Sequence, residues 1–372
     1  MKFDFAIGNP PYQDNNDTYN RLPPIYPAFY DSATEIADKS LLISPARFLF
    51  NSGLTSKEWN KKMLEDEHLK VKYFEPNSSA IFPSTDIKGG IAIVYRSAKD
   101  NFGAIKEFIP DNTLRSIAQK FVKDSKSNLP SIIYGGRSDL KFTDKYLEQY
   151  PESIDKRLSA IQKKHPNVDK LSPNEEYELK SSSLDVLCDC GFFDNKKAED
   201  DYKILGLKKG KRAVMFIHNE FMTPRYPTHN NIEKFKVFVP ESNGSGSIGE
   251  VLSTPLIGTP LMSSTPTFIS IGNFDSYTEA ENLLKYIKSK FARVLLGILK
   301  KTQHNAISTW AYVPLQNFRN NSDIDWTQPI SDIDKQLYKK YEFSEEGMRT
   351  KSWTPLLILT KSEPVLYRAQ SS

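Results

Sequence analysis

The chain has 372 residues, which is enough for two domains of ordinary size, and 38% of them are hydrophobic, 12% aromatic and 26% charged. This composition excludes a disordered chain and predicts a folded globular protein. The formal net charge of +4, from 50 basic and 46 acidic residues, is compatible with nucleic-acid binding but does not by itself indicate it.

Cysteine content and hydropathy exclude further classes. The two cysteines, Cys188 and Cys190, are too few for a disulfide framework, and no nearby histidine spacing completes a zinc site with them. We expect two reduced thiols and no metal. No apolar run reaches 18 residues, and the N-terminus lacks the apolar core of a signal peptide. These features predict a cytoplasmic protein that does not associate with a membrane.

The first hundred residues alternate strand and helix patterns. The run Phe3 to Ile7, in which Asp4 is the one polar residue, is typical of a buried strand. Apolar residues at helical spacing between 26 and 37 predict a helix. Ser56 is the predicted N-cap of a second helix that ends near Asp66. Three further strands are predicted, at Leu41–Pro45, Val71–Glu75 and Ile91–Tyr95.

Four residues at the end of the first predicted strand, Asn9-Pro10-Pro11-Tyr12, carry the main functional signal. In an open α/β sheet, ligands bind at the carboxyl ends of the strands. The two prolines fix φ and make the loop rigid. One amide, one preset carbonyl and one aromatic ring form a receptor for a planar base with an exocyclic amine. The alternative is a proline-rich turn, because Asn and Pro are common turn residues.

Asn9-Pro10-Pro11-Tyr12 behind an apolar strand resembles the catalytic motif of the DNA methyltransferases that modify adenine N6. Within them it is similar to the gamma class of type II restriction–modification systems. The resemblance implies that the target adenine is flipped out of the duplex. It also implies that the Asn9 side-chain oxygen and the Pro10 carbonyl accept hydrogen bonds from the amine, that Tyr12 stacks on the base, and that S-adenosylmethionine donates the methyl group.

The fold implied by this resemblance is α/β. Residues 1–109 would form a partial catalytic subdomain, the second half of a Rossmann-like methyltransferase sheet. Phe82 lies where the family often carries an aromatic residue that contacts the flipped base, and it would equally suit a hydrophobic core.

The elements that bind S-adenosylmethionine in the family are largely absent from this region, which has no Gly-x-Gly-type junction between a strand and the following loop. Because Phe3 to Ile7 is apolar on both faces apart from Asp4, we expect an interior parallel strand that needs a covering layer. The cofactor-binding half is therefore expected to be lost or to be carried by a companion polypeptide.

Residues 110–345 are predicted to form a mixed α+β target-recognition domain, and residues 346–372 a loose tail. Strand patterns occur at Ala213–His218, Lys236–Pro240 and Thr267–Ile271, and one long amphipathic helix is predicted from Tyr277 to Lys301. The segments that resemble the family's target-recognition region are Asn273–Tyr277, Lys301–His304, Ala311–Pro314 and Trp326–Thr327.

Two kinds of side chain are candidates for contacts with double-stranded DNA. Basic residues that could meet phosphates surround Gly210, namely Lys208, Lys209, Lys211 and Arg212. Polar residues on loops that could contact base edges are Arg137, Arg225, His229 and Gln303. In both sets the alternative is an ordinary solvated surface residue.

The sequence thus predicts an S-adenosylmethionine-dependent DNA adenine-N6 methyltransferase of a restriction–modification system. The alternative is a non-catalytic DNA-binding specificity module, from a truncated or split restriction–modification protein, whose partner carries the cofactor site. A restriction endonuclease has no support, since no carboxylate–carboxylate–lysine cluster is found on a predicted strand.

Overall fold

The computed structural model describes residues 2–13, 23–83, 85, 87, 89–121, 123, 126–244, 250–300 and 303–343. The chain divides into two compact units, Met1–Arg115 and Ser116–Ser372. The predicted tail, residues 346–372, lies outside the described residues.

The first unit is built on one four-stranded sheet. Its elements in chain order are β1 (Phe3–Gly8), α1 (Tyr26–Ile36), β2 (Ala37–Pro45), α2 (Lys57–Glu65), β3 (Leu69–Glu75) and β4 (Ile91–Ser97). The strand order is β1-β2-β4-β3, with β1 parallel to β2 and β4 antiparallel to both of its neighbours. The two helices and four strands predicted for this region are therefore confirmed, with shifts of a few residues at their ends.

An aromatic core holds α1 and α2 against one face of this sheet. The Trp59 ring centroid lies 5.8 Å from that of Tyr30 and 5.2 Å from that of Phe48. The Tyr30 hydroxyl is hydrogen-bonded to Ser44 of β2 at 2.9 Å. The predicted N-cap of α2 is confirmed, because the Ser56 hydroxyl accepts a hydrogen bond from the Trp59 N–H at 3.1 Å.

The prediction that β1 is an interior strand is wrong for the described residues, in which it is the edge strand. The side chains of Phe3 and Ile7 are 64% and 75% exposed, and that of Phe5 is also exposed. The physical reason is that the helical layer packs on the face that carries Ala6 and Leu42, so the other face of β1 stays open.

The second unit contains three small sheets. The elements that follow the first sheet are α3 (Asn112–Gln119), β5 (Ile133–Tyr134), β6 (Leu140–Phe142), α4 (Asp144–Gln149), α5 (Glu152–Gln162), α6 (Ser183–Val186), β7 (Tyr202–Lys208), β8 (Lys211–Ile217), β9 (Met222–Pro224), β10 (Phe235–Pro240), β11 (Leu256–Gly258), β12 (Met262–Ser264), β13 (Phe268–Phe274), α7 (Tyr277–Lys288), α8 (Lys290–Leu299) and α9 (Ile330–Lys340). The strand orders are β11-β10-β13-β5, β12-β7-β8 and β6-β9. The three strands predicted in this region correspond to β8, β10 and β13.

The long helix predicted from Tyr277 to Lys301 is wrong, because Ser289 adopts an extended conformation (φ −61°, ψ 151°) that separates α7 from α8. The Ser289 hydroxyl accepts the Ala292 N–H at 3.1 Å. Asp334 of α9 accepts the N–H groups of Lys290 and Phe291 at 3.1 and 3.0 Å. These two caps satisfy the first N–H groups of α8 and make the break stable.

None of the helices in the described segments is both long enough and apolar enough to cross a bilayer.

Candidate active site and nucleic-acid interface

Three connecting segments of the first unit emerge at one edge of its sheet. Because β1 and β2 are parallel, the segment Asn9–Tyr12 and the 3-10 turn Ala46–Phe50 leave at the same edge. The segment that leads into β4 reaches this edge as well, since the Gly90 carbonyl accepts the Ala46 N–H at 2.9 Å. This carboxyl edge is the place where open α/β sheets bind ligands.

The four residues of the motif differ in exposure. Asn9 and Pro11 are exposed, Pro10 is buried and Tyr12 is half-buried. No hydrogen bond joins the Asn9 side chain to another described residue. The Tyr12 carbonyl accepts the N–H of Ile25, just before α1, at 3.3 Å. The loop is therefore anchored at Pro10 and Tyr12, and the Asn9 amide is left available to a ligand.

The Tyr12 hydroxyl is buried and has no hydrogen-bond partner among the described residues. Burial raises the pKa of this phenol above its ordinary value. A contact of the Tyr12 ring with a ligand stays a prediction.

Phe82 lies in the segment that precedes β4, after a 3-10 turn at Ser78–Ala80. Its N–H donates to the Ser78 carbonyl at 2.8 Å, and its own carbonyl accepts the Thr85 hydroxyl at 2.7 Å. The side chain is half-buried. Phe82 thus lies in a segment that enters the sheet at the edge where the motif leaves it, and its contact with a base stays a prediction.

Gly90 allows the start of β4 to approach the end of β3. Its φ of +77° lies in the left-handed region, and a Cβ at this position would lie 2.3 Å from the Glu75 carbonyl oxygen. Only glycine meets both conditions. Gly90 therefore fixes where the segment that carries Phe82 enters the sheet.

Residues 1–82 match the Eco57I restriction-modification methylase family. The matched segment contains the motif and the first three strands of the sheet.

A curated relative is an uncharacterized adenine-specific methylase of Mycoplasma pneumoniae. It is 26% identical over 174 residues, which are 46% of this chain and 40% of that protein. The match therefore spans less than half the length of this relative.

Two solved structures are similar to the chain at 10% sequence identity. One is the type IIL restriction-modification enzyme MmeI in complex with DNA, with a TM-score of 0.40 over 96% of this chain and 56% of that one. The other is the type IIG restriction endonuclease BpuSI, with a TM-score of 0.31 over 87% of this chain and 45% of that one.

The predicted phosphate-binding cluster of the second unit forms the hairpin between β7 and β8. Lys209 and Gly210 both have positive φ, 52° and 72°, as a two-residue hairpin turn requires. Lys209 and Lys211 are exposed, whereas Lys208 pairs with Asp194 at 3.3 Å.

Arg212, the last residue of that cluster, donates from its guanidinium to the carbonyls of Thr254 and Ser253 at 2.5 and 3.2 Å. It therefore holds the segment before β11 as well as contributing positive charge to the hairpin.

Three of the four predicted base-contacting residues lie on loops that contact one another, namely Arg137, Arg225 and His229. Arg225 follows β9, and its backbone N–H donates to the carbonyl of Asp139 at 2.7 Å. Asp139 immediately precedes β6. The Arg225 Nε donates to the Ser138 carbonyl at 3.1 Å, which places it beside the loop that carries Arg137. The His229 ring lies 4.9 Å from the ring of Tyr134, the last residue of β5, just before the loop that carries Arg137.

Gln303 takes no part in these contacts. Its carbonyl accepts the Asn243 N–H at 2.7 Å, and its side chain is exposed. The structure therefore separates Gln303 from the other predicted base-contacting residues.

Glu178 links the two arginines and was not singled out from the sequence. Its Oε1 lies 3.4 Å from Arg137 and 3.7 Å from Arg225, and its Oε2 lies 2.8 Å from Lys180. Burial acts to raise the pKa of this carboxyl, but the Lys180 hydrogen bond and the three positive charges lower it below its ordinary value. Glu178 is one acidic residue in a charged stretch, so no local pattern distinguishes it.

Lys236 is a fully buried lysine that secures the loop before β10. Its Nζ donates to the carbonyls of Ile232 and Met262 at 3.1 and 2.8 Å, and also to that of Asn231. Burial raises the pKa of nearby Asp139 to about 6, although the charges of Lys236, His229 and Arg225 act to lower it. A buried charge network therefore underlies the loops that carry Arg225 and His229.

Cys188 is half-buried and Cys190 is buried, and neither forms a disulfide. Burial raises the pKa of the Cys190 thiol to about 11, so it is unreactive at neutral pH. In the described part of the chain, no group of three or more His, Cys, Asp or Glu side chains could hold a metal ion.

Proposed function

We propose that this chain carries the catalytic motif of a cytoplasmic DNA methyltransferase that modifies adenine N6, of the gamma class found in type II restriction–modification systems. The observation that carries the proposal is the exposed Asn9 amide at the carboxyl edge of the sheet, which forms no hydrogen bond with another described residue and lies next to buried Pro10 and half-buried Tyr12. The family match over residues 1–82 and the name of the curated methylase relative support it.

The proposed chemistry uses orientation and polarisation rather than a protein nucleophile. An adenine flipped out of the duplex would place its amine between two acceptors, the Asn9 side-chain oxygen and the Pro10 carbonyl. These hydrogen bonds draw the nitrogen lone pair out of conjugation with the ring. Stacking on Tyr12 would contribute about 1–3 kcal/mol to holding the base, and Phe82 is a second candidate for contact with it.

S-adenosylmethionine would supply the methyl group. The described residues do not fit this cofactor on their own, because β1 is an edge strand with Phe3, Phe5 and Ile7 exposed. In the described sheet, no strand lies beside β1 on the side away from β2 to carry a cofactor-binding loop. The proposal therefore assigns to this chain the binding and orientation of the base.

We further propose that the second unit is the target-recognition domain for double-stranded DNA. The exposed hairpin lysines, Lys209 and Lys211, would contact phosphates together with Lys208 and Arg212. Arg137 and His229 would approach base edges from loops that Arg225 fixes in place. Gln303 stays a separate candidate.

A second candidate function is a DNA-binding specificity module without catalysis of its own, which needs a companion polypeptide with the cofactor site. The open face of β1 favours this candidate. Exposed contiguous apolar side chains on a sheet commonly mark a surface that another chain or segment covers.

The test combines DNA methylation with DNA binding. The gene for the full chain or for its Asn9→Ala variant is placed at its own locus in the source organism, where any companion polypeptide with the cofactor site is present, and the N6-methyladenine that depends on this gene is measured in the DNA by mass spectrometry. Binding of both proteins to duplex DNA is measured in parallel. We expect Asn9→Ala to abolish methylation and to change duplex affinity less than about twofold, because the amide contacts only the extruded base.

The remaining outcomes separate the candidates. Normal methylation by Asn9→Ala would show that the proposed mechanism is wrong. Sequence-selective binding without methylation by the unchanged chain would favour the specificity module, and a chain that neither binds nor methylates DNA would contradict both candidates.

A further inference from the structure

Three cations of the second unit converge on one carboxylate. Arg137, Lys180 and Arg225 all lie within 3.7 Å of the Glu178 carboxylate oxygens. Lys180 also pairs with Glu175 at 3.5 Å. These three cations and two anions carry a local net charge of +1, so the group attracts anions even with its ion pairs intact. Glu178 is the acidic residue of this group that pairs with both arginines.

Glu178 is held in place independently of these ion pairs. Its backbone forms an antiparallel bridge with Lys141 of β6. Its carbonyl accepts a hydrogen bond from buried Arg157 at 3.4 Å. The side chain is only 14% exposed. The carboxylate is therefore a fixed acceptor, and the cations reach towards it.

The three cations differ in how freely they can leave it. The Arg137 side chain is 63% exposed, and Lys180 is partly exposed. Arg225 is 13% exposed and is tied to the Ser138 carbonyl. An exposed ion pair is weak, so Arg137 can exchange Glu178 for another acceptor, whereas Arg225 stays with the protein.

We propose that Glu178 is a positioning residue for DNA specificity, whose carboxylate competes with DNA phosphates for Arg137 and Lys180. The inference rests on the proposed function, because it assumes that this surface binds DNA. On non-specific DNA a phosphate must displace a fixed carboxylate, which limits the gain in affinity. At the target sequence Arg137 gains a contact with a guanine edge that random sequence does not offer at that position, and this contact offsets the cost of leaving Glu178.

The test is Glu178→Gln in the full chain, with a labelled 30-base-pair duplex of random sequence as the probe. Fluorescence anisotropy gives the affinity between 50 and 200 mM salt. We expect non-specific affinity to rise about three- to tenfold at the lower salt concentrations. The slope of log affinity against log salt should steepen by about one for each cation released.

Glu175→Gln is the matched control. It removes the same charge from a nearby residue that pairs with Lys180 at 3.5 Å. It is not paired with either arginine, so we expect less than a twofold change in affinity and no change in slope. An equal effect of the two variants would overturn the inference in favour of a general charge effect.

Arg137→Ala provides a second measurement that does not depend on the folding of the Glu178 variant. Sequences selected from a random duplex pool by the unchanged chain serve as the specific probe. We expect about a tenfold loss of affinity for the selected duplex and less than a twofold loss for the random one. A uniform loss for both duplexes would overturn the proposed competition.

The failure of the inference and the failure of the proposed function give different results. If the unchanged chain binds no duplex even at 50 mM salt, the proposed DNA-binding function is wrong and the inference is wrong with it. If it binds but Glu178→Gln leaves both the affinity and the slope unchanged, or weakens binding, only the inference is wrong.

Discussion

The two units of the chain build their candidate sites in different ways. In the first unit the site residues Asn9 to Tyr12 are continuous, and a single sheet edge presents them. In the second unit the residues that come together, Arg137, Glu178 and Arg225, are each supplied by a different segment. A rigid loop positions the first set, whereas ion pairs and backbone hydrogen bonds position the second.

The two sites should also respond differently to substitution. The motif loop depends on proline geometry and on burial of Pro10, which substitutions at Asn9 or Tyr12 leave in place. The second site depends on Arg225, whose guanidinium and backbone N–H hold the loop that carries Arg137. Single substitutions in the motif should therefore change the chemistry of the first site and leave its loop in place. Loss of Arg225 should instead remove several contacts of the second site together.

After the complete loss expected for Asn9→Ala, the largest expected effect is at Tyr12, where the ring and the hydroxyl can be separated. Tyr12→Ala should lower methyl transfer by about 10- to 100-fold, because it removes base stacking of about 1–3 kcal/mol. Tyr12→Phe should stay within about threefold, because the buried hydroxyl has no partner among the described residues. Methyl transfer to duplex DNA by both variants is the measurement, in cells as described for Asn9→Ala.

The Tyr12→Phe variant also serves as the control for folding, since it keeps the ring in place. A loss of activity in Tyr12→Phe as large as that in Tyr12→Ala would show that the hydroxyl, and not stacking, is what the motif uses. The continuous site would then need a different chemical description.

The next effect distinguishes Arg225 from Arg137 within the second unit. Arg225→Ala should reduce the free energy of unfolding by about 1–3 kcal/mol, because a largely buried guanidinium is lost and the Ser138 carbonyl loses its donor. Arg137→Ala should change it by less than about 0.5 kcal/mol, since its ion pair is exposed. Urea unfolding of both variants, followed through buried Trp310, measures the difference.

Equal stability of the two arginine variants would contradict the view that Arg225 holds the second site together. A large loss in Arg137→Ala alone would reverse the roles that we assign to the two residues.

The elements of the first unit could be predicted from sequence because their determinants are local. The apolar run at Phe3 to Ile7 and the cap at Ser56 lie within the segments that they define. The edge position of β1 could not be predicted, because the strand's composition is the same whether or not another strand pairs with its outer edge. The sequence signals an apolar face, and only the structure shows that α1 and α2 cover the opposite one.

The second unit was less predictable because its determinants are distant in sequence. The break at Ser289 depends on Asp334, which lies 44 residues from Lys290. Glu178 gains its role only when the chain brings Arg137 and Arg225 to it, and no spacing pattern indicates this. Arg137, Arg225 and His229 were named from their residue types and loop context, but their proximity was not predicted.

The smallest effect concerns pH and tests whether burial or nearby charge dominates beneath the second site. Burial raises the pKa of Asp139 to about 6, above the ordinary value of 3.8. Between these two values the folded state keeps a proton that the unfolded state has lost, so the stability from this group is lost as pH rises through the folded pKa. The free energy of unfolding, relative to that of Asp139→Asn, should therefore fall by on the order of 1 kcal/mol from pH 4.5 to 7. Burial lowers the pKa of Lys236 to about 7, and the Asp139 charge acts to raise it, so the difference reports Asp139 together with the lysine that it faces. A difference that is constant or rises with pH would mean that the charges of Lys236, His229 and Arg225 outweigh burial, and that the network is held by ion pairing of a charged Asp139.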